Sequence, residues 1–134
     1  MPPELPSSGA LREAQEWLAR AERDLQAARN ELRAAVPLPE MSAYHAQQAM
    51  EKSLKAFLTA NSIPFPYTHD LVLLQAKCEA IQGGFARFLP AAQTLSPYAT
   101  LFRYPGGPLS PPSAEAQQAV DSADAIVRFI RQQL

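Results

Sequence analysis

The chain has 134 residues, 47% hydrophobic and 19% charged, with a formal net charge of −1; this is the composition of one globular domain with a lightly charged surface. A generally basic nucleic-acid-binding surface is thereby excluded, so any nucleotide or RNA contact must come from a local cluster. The one cysteine, Cys78, excludes an internal disulfide and a two-cysteine metal motif; no apolar run approaches the ~20 residues of a membrane span, and the opening MPPELPSSGA is not a secretory signal, so the cytoplasm is the expected location.

The thirteen prolines punctuate the chain, because proline breaks helix interiors. Residues 1–8 read as a frayed Pro/Ser-rich tail ahead of one domain over 9–134. A first helix is expected from about Leu11 to Ala35, with Leu11, Ala14, Leu18, Ala21, Leu25, Ala28 and Leu32 on one face and Trp17 at its border. A second starts near Pro39, a residue suited to a first turn, and runs to about Ala60 with Ala46, Met50, Leu54, Phe57 and Leu58 on its apolar face. A proline-stiffened loop follows over Asn61–Tyr67.

Thr68 then reads as an N-cap with Asp70 in the first turn. The third helix places Leu71, Leu74, Cys78 and Ile81 on one side, and Gly83-Gly84 stops it. A short fourth helix carries Phe85, Phe88, Leu89, Ala92 and Leu95, divided or kinked by Pro90. Residues Ser96–Pro112 form a long loop, which in a compact domain implies a task. Ser113 caps the last helix, which buries Ala116, Val120, Ala123, Val127 and Ile130. No stretch alternates with a period of two, so no strands are assigned. The expected architecture is all-α, an up-and-down bundle of four main helices plus one short helix.

Three segments carry candidate chemistry. His45, Gln48, Lys52 and Lys55 advance by three, four and three residues, which aligns them on one stripe of the second helix, away from its apolar face. An imidazole, an amide and two ammonium groups in a row suit a phosphate or nucleotide; a solvated outer face is the alternative. His69 stands at a helix N-terminus, where free N–H groups and the dipole favour an anion and disfavour a protonated imidazole, or else it is a packing residue beside the caps. Arg103, between Phe102 and Tyr104, can stack on rings while its fork grips a phosphate or carboxylate; the alternative is a loop anchored by its aromatics. There is no GxxxxGKS/T or GxGxxG phosphate loop, no HExxH and no GxSxG elbow. Two histidines 24 residues apart make no zinc site, and no cofactor is expected.

The run from His45 to Ala56, HAQQAMEKSLKA, with Thr68-His69-Asp70-Leu71, Arg103-Tyr104-Pro105 and, in the first helix, Trp17, Ala21 and Asp24-Leu25, resembles the HEPN domains, small prokaryotic helical bundles. The likeness runs from about Trp17 to the C-terminus. It implies a homodimer, often the partner of a minimal nucleotidyltransferase chain in a toxin–antitoxin-like pair, and often nucleotide-binding. It also implies that His45, Gln48, Lys52, His69 and Arg103 share one ligand-binding pocket; Tyr104 is expected to add a ring on which a base can stack. A ribonuclease branch of the family uses an Arg followed by four to six residues and a His at a dimer cleft. Arg103 would open that motif, but Pro108, Leu109 and Ser110 stand where its His would fall. The expectation is therefore a non-catalytic binding protein, with a metal-independent ribonuclease using His69 or His45 as base, and a purely structural dimer, as the alternatives.

Overall fold

The computed structural model describes residues 7–134. Over these it is all-helical: α1 (Ser8–Arg33), α2 (Pro39–Ala60), α3 (Leu71–Ile81), α4 (Leu89–Leu95) and α5 (Ser113–Gln133), with short 3-10 segments over Gly83–Phe88 and Ser96–Ala99 and no strand among the described residues. Of the tail expected over 1–8, residues 1–6 lie outside the described residues, while Ser7 caps α1 by accepting from Ala10 N at 3.0 Å and Ser8 opens it.

The periodicities place the core. Ala14, Leu18, Ala21, Leu25 and Ala28 of α1 are buried, as are Ala116, Val120, Ala123, Val127 and Ile130 of α5. Small residues recur on α1, so its backbone lies close against α2, and Ser42 Oγ donates to Ala28 O at 2.7 Å across that seam. The helix α2 is the hub, with neighbours α1, α3, α4 and α5. Its burial therefore goes well round its circumference and includes Gln47, Gln48, Glu51 and Lys55. At the far end a ring cluster closes the core: Phe85 meets Phe57 at 4.6 Å and Phe129 at 5.0 Å between centroids.

Several boundaries depart from expectation for identifiable reasons. The first helix ends at Arg33 with Ala34 already extended, just short of the expected Ala35, and Pro37 keeps it from resuming by disfavouring helical backbone at Val36. Asp70, not Thr68, caps α3: its carboxylate accepts from Val72 N and Leu73 N at 3.0 and 3.2 Å, while Thr68 Oγ1 accepts from Asp70 N one step earlier. Ser113 is the first residue of α5 and the cap position is Pro112, without a side-chain bond. Ile81, expected inside, is exposed, because α3 ends there. Gly83 and Gly84 begin a 3-10 segment; a Cβ on Gly84 would lie 3.1 Å from Phe129 Cζ, so the second glycine admits that ring. Pro90 does divide the fourth helical segment, standing in the first turn of α4.

The long connection after α4 is anchored rather than loose at its start. Tyr98 is buried, stacks on Phe102 at 5.6 Å, and donates its hydroxyl to Glu115 at the start of α5. Burial, together with that bond and the charge of Glu115, pushes the phenol's pKa up.

Candidate functional site: a polar face on α2

Two carboxylates organise the polar stripe of α2. Asp24, reaching across from α1, accepts from Lys52 Nζ at 2.6 Å with one oxygen and lies 3.0 Å from His45 Nδ1 with the other. Glu51, on α2 itself, has one oxygen 2.7 Å from His69 Nδ1 and the other 3.1 Å from Lys55 Nζ. The i, i+4 spacing of Glu51 and Lys55 brings the last pair together on one helix face.

Glu51 and Lys55 are each only 4% exposed. Charges that deep are tolerable only when paired and hydrogen-bonded, and the surroundings supply this. Gln47 Nε2 donates to Glu51 at 3.2 Å and Gln48 Nε2 to Gln47 Oε1 at 2.6 Å. The ammonium of Lys55 also lies 5.5, 5.7 and 5.8 Å from the ring centres of Trp17, Phe65 and Tyr67, within the range at which an aromatic face attracts a cation. The proline-stiffened segment between α2 and α3 is thus a strap, laid over the lysine by Phe65 and Tyr67. No buried side-chain nitrogen or oxygen among the described residues lacks a partner.

The carboxylates also fix the imidazoles. An ionised carboxylate can only accept, so in each neutral ring the hydrogen sits on Nδ1 and Nε2 keeps its lone pair. The His69 side chain is 48% exposed, which leaves that ring open to solvent. For Asp24, burial acts to raise the pKa, but the hydrogen bonds and charges of His45 and Lys52 outweigh it and hold the carboxyl below its ordinary value near 3.8.

Arg103 reaches the same helix by another route. Its guanidinium stands 4.9 Å from the ring centre of Tyr44, whose ring in turn meets His45 at 5.3 Å. No carboxylate lies within ion-pair distance of Arg103 among the described residues. Beneath it is a cavity of about 80 Å³ bounded by Glu40, Met41, Tyr44, Tyr98, Phe102 and Arg103. Tyr104 is 65% exposed.

The sequence-derived set is therefore distributed along α2. His45 and Lys52 share Asp24, His69 joins Lys55 on Glu51, Gln48 is buried beneath as a hydrogen-bond link, and Arg103 covers Tyr44. The charges of Lys52 and Lys55 are matched by carboxylates, so among the described residues the unpaired cation of this face is Arg103. The stripe is not a solvated outer face either, since Gln48 and Lys55 are buried. Sequence reasoning missed Asp24 and Glu51 as organisers. Glu51 was signalled by its spacing to Lys55; Asp24 stands seven residues after Trp17, which puts both on one face of α1. Among the described residues no group of three or more His, Cys, Asp or Glu side chains is arranged to hold a metal ion, and no helix is long and apolar enough to cross a membrane.

The HEPN domain model matches residues 14–133. The chain belongs to the HEPN domain family. Its backbone is similar to that of TT1696 from Thermus thermophilus, with a TM-score of 0.78 and 27% identity over 90% of this chain and 98% of that one. It is also similar to ST0689, an archaeal HEPN homologue, with a TM-score of 0.71 and 25% identity over 90% and 96% of the two chains. No curated protein matches it. This HEPN chain carries the family's fold with the two carboxylate-centred networks described above.

Proposed function

We propose that this HEPN protein is a non-catalytic nucleotide- or RNA-binding subunit that dimerises and acts as the partner of a small nucleotidyltransferase in a two-component, toxin–antitoxin-like pair. The observation that carries the binding part is Arg103: a guanidinium stacked on Tyr44, without a carboxylate partner among the described residues, one ring away from His45. A stacked guanidinium keeps its edge donors for a phosphate, and the exposed rings of Tyr104 and Tyr67 offer faces on which a base can stack. Lys52, His45, Gln48 and His69 hold the face in shape through Asp24 and Glu51. The dimer and the nucleotidyltransferase partner rest on what membership of the family implies. Calorimetric titration with ATP and with a short single-stranded RNA, repeated on Arg103→Ala and followed by co-purification with a candidate nucleotidyltransferase, tests both parts.

A second reading has its own support. The Glu51–His69 pair is a carboxylate-oriented imidazole with a half-exposed ring, which is the arrangement a general base requires. Under that reading the protein cleaves RNA without metal, and cleavage disappears in His69→Ala. Under the binding reading, intact RNA is recovered from both proteins.

A further inference from the structure

On a different part of the molecule, α4 and α5 run side by side without closing on one another. Between them lies a groove of about 600 Å³, within the range of roughly 300–1,000 Å³ typical of small-molecule sites. Its floor is apolar, with Phe88, Leu95 and Ala119. Small residues on both walls, Ala91 on α4 and Ala125 on α5, keep it open.

Its polar groups are arranged by position. Arg87 stands at one end, its guanidinium 4.7 Å from the ring centres of both Phe88 and Phe129. Two rings hold that side chain, and no carboxylate lies within ion-pair distance of it among the described residues. At the other end is Glu115, engaged by the Tyr98 hydroxyl through one oxygen. Thr94, Gln118 and Ser122 line the length between. None of these three has a side-chain hydrogen-bond partner among the described residues, whereas neighbouring Gln117 is tied to Asp121 at 2.9 Å.

We propose that this groove is a binding site for an elongated amphipathic carboxylate, with its anion on Arg87 and its apolar body along Phe88, Ala91, Leu95 and Ala119. A planar guanidinium fork matches a carboxylate in a paired, two-bond geometry, and a ring-held fork loses less freedom on binding than a loose one. Glu115 sets the direction: its charge excludes a second anion from the far end and favours a ligand that ends there in a hydroxyl or other donor. The site shares no residue with the α2 face, so its failure and the failure of the nucleotide reading are separable.

Octanoate and octanol are the probes, followed by amide chemical shifts in the full chain. Octanoate is expected to shift amides of residues 87–95 and 115–125 and to bind about tenfold more tightly than octanol, a difference of about 1.4 kcal/mol. Arg87→Gln, at an exposed position, should bring octanoate down to the affinity of octanol and leave octanol unchanged. Ser122→Trp should exclude both probes. Equal affinity for the two probes in the native protein, an undiminished octanoate affinity in Arg87→Gln, or shifts confined to other helices would overturn the proposal.

Discussion

Glu51 holds two partners from two different parts of the chain: Lys55 one turn along its own helix, at 3.1 Å, and His69 beyond the strap, at 2.7 Å. A single carboxylate thus joins the interior of α2 to the start of α3. Asp24 does the same between α1 and α2, through His45 and Lys52. The polar face is shaped by anions, although its cations attract attention first.

Glu51→Gln should be among the most destabilising polar substitutions in the protein. It leaves the ammonium of Lys55 buried without a counter-charge, at a cost of about 3–5 kcal/mol, measured as a lower midpoint of urea unfolding. The double variant Glu51→Gln/Lys55→Met should recover part of that loss, since no orphaned charge remains. Arg131→Ala, which breaks the exposed pair with Glu22, should change stability by no more than about 1 kcal/mol.

The acid limb of stability should depend on Asp24. Its pKa is lower in the folded protein than its ordinary value near 3.8, so the unfolded chain takes up the proton first. The stabilisation is fully present above that ordinary value and is lost as pH falls through the lower, folded one. Unfolding free energies of the native protein and Asp24→Asn, measured from neutral pH down to acid, should therefore converge in that window. Parallel curves would show that Asp24 does not contribute.

Much of the fold was legible because helix periodicity and proline placement agree. The alternation of Leu and Ala in α1 and of Ala, Val and Ile in α5 placed both helices and their inner faces. The caps were harder to locate, since Thr68 and Asp70 compete for neighbouring N–H groups and the choice depends on where the strap delivers the chain. His45, Gln48, Lys52 and Lys55 all lie on α2, but their surroundings are not legible from spacing. A helical wheel shows one helix alone, and α2 is covered on several sides, so residues drawn on the outside, such as Lys55 and Gln48, lie inside. Nor could the wheel show that Asp24 of α1 would face Lys52, a contact between residues 28 apart in sequence.

Cys78 should be inert in the folded protein. It is fully buried, burial pushes its thiol pKa up, and its Sγ–H donates to Leu54 O at 3.7 Å. Since the thiolate is the reactive species, labelling by a thiol reagent should proceed only at the rate of unfolding and accelerate in Glu51→Gln. Rapid stoichiometric labelling of the native protein would contradict the burial described for α3.

The binding reading is tested most directly at Arg103, the one cation of the α2 face without a carboxylate partner among the described residues. Titration of a short single-stranded RNA into the native protein and into Arg103→Ala, at fixed salt, should show affinity falling about tenfold or more in the variant, as expected for a lost charge-assisted contact, with the melting transition unchanged. Equal affinity in the two proteins, or no binding by either, would contradict it.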